Sequence, residues 1–172
     1  MYTDPILFAK ITDSNKGIRL PWIGDETDTL FKRHGYHTGL DLYANHVYSF
    51  ASGVITSIGK EESHYAITVQ YDAQTSLRYL HLKTISVGAG QIVQQGFNLG
   101  TADQYVHFEY ITKNKKDSLW PVRIGTETYY KHNPFEIDFI AESDVVHKTP
   151  YIEEIITDVT LAEFNNGKGG SN

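Results

Sequence analysis

Two short segments of the 172-residue chain concentrate side chains that bind metal ions or transfer protons. In the first, His37 and Asp41 are four residues apart, with Gly39 between them. On a strand both side chains would point to one side, but a straight strand separates their Cα atoms by roughly 13 Å. Gly39 allows the chain to curl. A His–Asp pair that converges on one cation is therefore feasible, although a segment of turn residues would look the same.

The second segment runs from Tyr105 to Glu109. Period-two alternation places Tyr105, His107 and Glu109 on one face of a strand, with Val106 and Phe108 packed on the other. An ordinary amphipathic strand would also show this pattern. A further histidine, His81, lies near the end of an apolar stretch. This position alone indicates a residue at the edge of the core.

Composition limits the chemistry available to these side chains. The chain has no cysteine, which excludes disulfides, thiolate zinc sites and a cysteine nucleophile. Any metal ion must therefore be held by histidines and carboxylates. The net charge of -6 argues against binding to nucleic acid, anionic membranes or anionic wall polymers.

The sequence gives little information on location. No stretch approaches the length of about 18 apolar residues that indicates a membrane span. Residues 1–10 lack a basic region followed by an apolar run, so no signal peptide is visible. We expect a protein that is cytoplasmic, or exported without a cleaved signal, or a trimmed form of a longer chain.

The elements that must position these residues are short strands. Tyrosine, phenylalanine and glycine are abundant, and alternation of period two dominates the middle of the chain. This predicts an all-β, mainly antiparallel domain that resembles a sandwich or barrel. The predicted strands are residues 47–50, 54–58, 65–71, 76–82, 91–93, 98–100 and 105–112, with a hairpin turn at 72–74.

The flanks differ from this central domain. We predict an irregular N-terminal arm over residues 1–33 that wraps the core, the β domain over 34–140, and a C-terminal extension over 141–172. The extension is expected to hold a short helix at 151–164 and a flexible Gly/Ser/Asn-rich tail at 167–172. Residues 113–135 are expected to form a loop, since a Trp-Pro pair at 120–121 interrupts regular structure.

Taken in order, the motifs resemble those of the lysostaphin-like zinc endopeptidases of the LytM type, which cut peptides in bacterial cell walls. The family pattern opens with His-x-Gly-x-Asp and continues with a Val-Tyr-Ala-x-x-x-Gly-x-Val turn and a Tyr-x-His-Leu strand. It closes with His-x-His-Phe-Glu. The matching segments here are 37–41, the turn that begins at Val47-Tyr48, Tyr79-Leu80-His81-Leu82, the glycine-punctuated stretch 85–100, and His107-Phe108-Glu109. Asn133-Pro134-Phe135 resembles an Asp-Pro element that commonly follows the domain.

The resemblance implies a zinc site and its surroundings. His37, Asp41 and His107 match the family's zinc ligands, which leave one coordination position open for water. His81 matches an active-site histidine outside the coordination sphere, which could stabilise an oxyanion or pass a proton. In one departure, Tyr105 replaces the first histidine of the closing motif, the usual general-base candidate. A phenol is a poor base at pH 7 but can donate a hydrogen bond to an oxyanion. The loop before Tyr105 is also shorter than in the family.

Three residues near the predicted site have more than one possible role. His34 is either near the metal or a loop residue. Glu109 could orient His107 or could be a charge at a strand edge. Asp103 could support His81 or replace the missing base.

Three functions follow as hypotheses. The first is a zinc peptidase acting on peptidoglycan peptides at the cell wall or periplasm, reached by another export route or with a virion, in which His81 and Tyr105 stabilise the tetrahedral intermediate. The second is a degenerate zinc-binding module that forms part of a larger cell-wall or phage-tail assembly. The third is a metal-free β domain that binds carbohydrate or peptide.

Overall fold

A computed structural model describes residues 11–24, 36–116, 118 and 120–137. Within these residues, ten strands join in one antiparallel sheet, and a short 3-10 turn follows at Pro134–Glu136. The all-β class predicted from the alternation is therefore confirmed. The strands are β1 (Ile18–Leu20), β2 (Leu40–Tyr43), β3 (His46–Tyr48), β4 (Gly53–Glu61), β5 (His64–Gln70), β6 (Thr75–Ile85), β7 (Ile92–Val93), β8 (Asn98–Thr112), β9 (Pro121–Ile124) and β10 (Glu127–His132).

Strand β8 organises the sheet. Along one of its edges it pairs in turn with β10, β2 and β3, and along the other edge it pairs with β6. The sheet continues from β6 through β5 and β4 to β7. The segments predicted as two strands, 98–100 and 105–112, are therefore one strand of 15 residues. Its length lets one strand contact most of the segments that carry functional side chains.

One face of the sheet carries the main hydrophobic core. Val106 and Phe108 of β8 and Tyr79 and Leu82 of β6 are fully buried in it. Full burial of such a side chain contributes roughly 1.5–3 kcal/mol. The predicted alternation of β8 is thus confirmed, and it leaves His107 and Glu109 on the opposite face.

The prediction of a loop over 113–135 is wrong. Strands β9 and β10 form a hairpin, and β10 pairs with the end of β8. Pro121 starts β9, opposite Tyr130. The first position of such a strand tolerates proline, so the Trp-Pro pair does not prevent a hairpin there.

The N-terminal segment contributes a strand and several core side chains, and is not only an irregular arm. Residues 18–20 form β1, which pairs with β2, and the side chains of Ile11, Trp22 and Ile23 are buried. Residues 1–10 and 25–33 of the predicted arm lie outside the described residues. So does all of 141–172, with its predicted helix and tail. In the part of the chain that is described, no helix is long and apolar enough to cross a membrane.

Candidate metal centre

Strand register brings the two motif segments together. Asp41 of β2 lies directly opposite His107 of β8. Side chains opposite each other on antiparallel strands have Cβ atoms about 5 Å apart. The Oδ1 atom of Asp41 consequently lies 2.8 Å from Nδ1 of His107.

His37 reaches the same carboxylate from the loop before β2. Its Nε2 atom is 3.2 Å from Oδ1 of Asp41. Because β2 begins only at Leu40, the His–Asp spacing is not that of a straight strand. Gly39 lets the His107 ring and the β8 backbone pack against the loop that carries His37. A Cβ atom at this position would lie 2.6 Å from the His107 ring and 2.7 Å from the Phe108 carbonyl oxygen.

The hydrogen-bond partners of both imidazoles define which ring nitrogen faces the centre. Nδ1 of His37 is 2.7 Å from the Pro21 carbonyl oxygen, which can only accept, so this nitrogen carries a proton. Nε2 of His107 similarly faces the Glu109 carboxylate at 3.1 Å. In the neutral tautomers, Nε2 of His37 and Nδ1 of His107 therefore both present a lone pair to Asp41.

These three residues fit a metal ion. One ligand atom from each of His37, Asp41 and His107 lies within 4.8 Å of the others. Ligands about 2.1 Å from a tetrahedral zinc ion are about 3.4 Å apart, which is close to the present spacing. Lone pairs that converge on one point require a cation between them, either a proton or a metal ion.

The same contacts set the charge of the centre before a metal binds. Burial opposes ionisation of Asp41, yet hydrogen bonds from His107 and His37 hold its pKa well below the usual value. Burial alone would lower the pKa of His107, but the hydrogen bonds to Asp41 and Glu109 raise it to about 9. Without a metal ion, His107 is thus an imidazolium at neutral pH, held between two carboxylates.

Glu109 is fully buried and is stabilised by two buried cations. Arg78, its direct partner across the β6–β8 pair, contacts Oε1 at 2.5 Å, and Lys131 of β10 contacts Oε2 at 3.3 Å. Burial would raise the pKa of Glu109, but the charges of Lys131 and Arg78 hold it well below its usual value. Glu109 therefore remains an acceptor for the Nε2–H group of His107.

A bulge places His81 on the same face. Alternation after the buried Tyr79 would point His81 into the core, but the register shifts between Leu80 and Leu82, and His81 has a φ of 68°. Bulges of this kind redirect a side chain. The His81 ring centroid lies 6.0 Å from that of His107 and 5.7 Å from that of Tyr105.

The three candidate ligands are nearly inaccessible, whereas the side chains beside them reach solvent. His37, Asp41 and His107 are exposed by 3%, 4% and 1%, while His81 and Tyr105 are half-buried. The centre is therefore open to solvent on the side of His81 and Tyr105. Arg19 of β1 also lies on this side, 3.0 Å from Oδ2 of Asp41 and 4.2 Å from the centroid of the Tyr105 ring.

Of the other residues considered near the site, Asp103 lies beside His64 and Lys83, and His34 is not among the described residues. Asp103 contacts Nε2 of His64 at 3.2 Å and Nζ of Lys83 at 3.5 Å. The ring of His64 in turn is 6.4 Å from that of His81, on the wall of a shallow pocket formed by β4, β5 and β6.

Sequence reasoning missed Arg19, Arg78 and Lys131, the cations of the centre. Arg78 carried a signal, because it is a charged residue within the apolar stretch Leu77 to Leu80. Lys131 and Arg19 carried none, because their proximity to the site depends on pairings of β10 and β1 that no motif predicts.

The candidate site lies within the part of the chain that matches a known protein family. Residues 35–118 match the model of peptidase family M23, and this range includes all three candidate ligands and His81. No curated protein matches the chain significantly.

Three solved structures are similar to this chain at low sequence identity. A chain of the SpoIIIAH–SpoIIQ complex is 20% identical with a TM-score of 0.51, covering 59% of this chain and 88% of the other. The solution structure of lysostaphin is 18% identical with a TM-score of 0.50, covering 63% of this chain and 49% of lysostaphin. A prophage-encoded M23 protein, EnpA from Enterococcus faecalis, is 16% identical with a TM-score of 0.47, covering 63% and 91%.

The β8-centred sheet, the His–Asp–His cluster and the matching family model together identify a protein with a metallopeptidase fold. Residues 35–118, just under half of the chain, match peptidase family M23, and the chain resembles the lysostaphin-like proteins of that family.

Proposed function

We propose that the protein is a zinc-dependent endopeptidase that hydrolyses peptide bonds of bacterial peptidoglycan. The observation that carries the proposal is the convergence of Nε2 of His37, Oδ1 of Asp41 and Nδ1 of His107, with both imidazole tautomers fixed from outside. Two histidines and one carboxylate are a ligand set of catalytic zinc sites. The expected place of action is the cell wall or periplasm, where this substrate lies.

The chain's residues have distinct roles in this proposal. His37, Asp41 and His107 hold the ion, which when bound lowers the pKa of a water molecule and polarises the scissile carbonyl group. Glu109 accepts the Nε2–H bond of His107 and so keeps Nδ1 directed at the ion.

The side chains at the open side act on the substrate. An imidazole at His81 can donate a hydrogen bond to the oxygen on which negative charge develops, and a protonated phenol at Tyr105 can donate a second. The Arg19 guanidinium adds a fixed positive charge beside them. Without a histidine at position 105, His81 is the residue best placed to transfer the proton.

A second candidate function is a zinc-binding module without turnover that serves a larger assembly. Tyr105 favours it, because the phenol replaces the usual base candidate. Arg19 also favours it, because its guanidinium pairs with Asp41 and stacks on Tyr105 at the open side. One solved structure with this fold, the SpoIIIAH–SpoIIQ complex, is itself an assembly of two proteins.

Dye release from labelled peptidoglycan distinguishes the two functions. The wild type, Tyr105→His and Tyr105→Phe are each loaded with zinc, and their metal content is measured. An endopeptidase releases dye as the wild type and faster as Tyr105→His, whereas Tyr105→Phe is slower because it donates no hydrogen bond. Full zinc occupancy with no release from the wild type or Tyr105→His would reject the endopeptidase and support the second function.

A further inference from the structure

A buried lysine outside the family match lies against the metal centre. Lys131 belongs to β10, and its side chain is 1% exposed. A buried ammonium group is costly unless it is paired and hydrogen-bonded. Its position on a hairpin next to the site therefore requires specific partners.

The partners of Lys131 belong to both ligand-bearing segments. Its Nζ atom lies 3.3 Å from Oε2 of Glu109, the oxygen that also accepts the Nε2–H bond of His107. Nζ donates a second hydrogen bond, of 3.1 Å, to Oγ1 of Thr38, the residue that follows His37. One cation thus connects the loop that carries His37 to the strand that carries His107.

Arg78 and Lys131 divide the Glu109 carboxylate between them. Arg78 contacts Oε1, which leaves Oε2 for Lys131 and His107. With Lys131 removed, Oε2 of Glu109 loses the cation that holds it beside the His107 imidazole. The Thr38 hydroxyl would lose the hydrogen bond from Nζ in the same step, so the direct link between the two ligand-bearing segments would be lost.

We infer that Lys131 is a positioning residue that holds the His37 and His107 segments in the geometry that binds the metal ion. This inference rests on the proposed zinc site and deepens it. It makes Lys131 of β10, which follows the segment that matches the family, a part of the metal centre.

The test compares zinc affinity, measured by competition with a chromophoric chelator, for the wild type and Lys131→Met. Loss of an outer partner of a metal ligand typically weakens metal binding about 10- to 100-fold, and this loss is expected here. The matched control is Ile124→Ala. It truncates the apolar cluster of the same hairpin (Ile111, Ile124 and Tyr129) and should change zinc affinity less than about twofold.

If Lys131→Met does not fold, a second pair of variants, at Thr38, tests the same contact. Thr38→Val replaces the hydroxyl with a methyl group of similar size and should weaken zinc binding. Thr38→Ser keeps the hydroxyl and should bind zinc like the wild type. Equal zinc affinity in Thr38→Val and Thr38→Ser, or in Lys131→Met and the wild type, would overturn the inference while the proposed function stands. A wild type that binds no zinc would overturn both.

Discussion

Asp41 and His107 are 66 positions apart in the sequence, yet they are direct partners across β2 and β8, with Oδ1 and Nδ1 2.8 Å apart. Backbone register, and not a flexible loop, therefore sets the distance between two of the three candidate metal ligands. A site built on paired strands holds its geometry before the ion arrives.

Gly39→Ala should damage the site without removing a ligand. The new methyl group would lie 2.6 Å from the His107 ring and 2.7 Å from the Phe108 carbonyl oxygen, so the imidazole must shift. We expect zinc affinity to fall at least about tenfold, as for the loss of a supporting contact. Gly88→Ala is the matched control, because a Cβ atom there meets nothing within 4 Å. Equal zinc affinities for the two variants in a chelator competition would refute the prediction.

His81→Ala should separate metal binding from turnover. His81 is not a candidate ligand, so the variant should keep its zinc, but removal of an oxyanion donor typically costs about 100- to 1,000-fold in rate. The measurements are metal content and dye release from peptidoglycan. His46→Ala serves as the control, since His46 contacts Asp13 on the surface. Full activity in His81→Ala would show that the assigned role is wrong.

The backbone at residue 81 predicts an unusual order of stability. At a φ of 68° a side chain is strained, by roughly 1–2 kcal/mol, whereas glycine is not. His81→Gly should therefore unfold at a higher denaturant concentration than His81→Ala, with a difference of about 1 kcal/mol in the free energy of unfolding. The comparison uses the metal-free proteins. If alanine proves as stable as glycine, residue 81 does not have a left-handed conformation.

Zinc binding should release a proton from His107. The pKa of His107 is raised to about 9 in the metal-free protein, so at pH 7 the ion must displace that proton from Nδ1. Affinity should then rise about tenfold per pH unit from pH 7 and level off near pH 9. Calorimetry in buffers of different ionisation enthalpy should find about one proton released per zinc at pH 7. A proton count near zero would mean that His107 is already neutral.

The sequence predicted the elements whose signal is local. The alternation from Tyr105 to Glu109 predicted which side chains face the core, and the turn at 72–74 predicted the β5–β6 hairpin. The ordered motifs predicted that His37, Asp41 and His107 would meet, and the structure brings them together.

Features that depend on pairing between distant strands were not predictable. The Arg78–Glu109 ion pair requires the register of β6 on β8, and Lys131 reaches Glu109 only because β10 pairs with β8. The bulge at His81 breaks the alternation on which the strand prediction relied. Pro121 was read as a breaker because sequence alone does not reveal that it begins a strand.

The most direct test of the proposed zinc site is an anomalous difference map, recorded at the zinc absorption edge, from crystals of the zinc-loaded protein. We expect one peak about 2.0–2.2 Å from Nε2 of His37, Oδ1 of Asp41 and Nδ1 of His107. A map with no peak between these three atoms, or with zinc bound only at other residues, would contradict it.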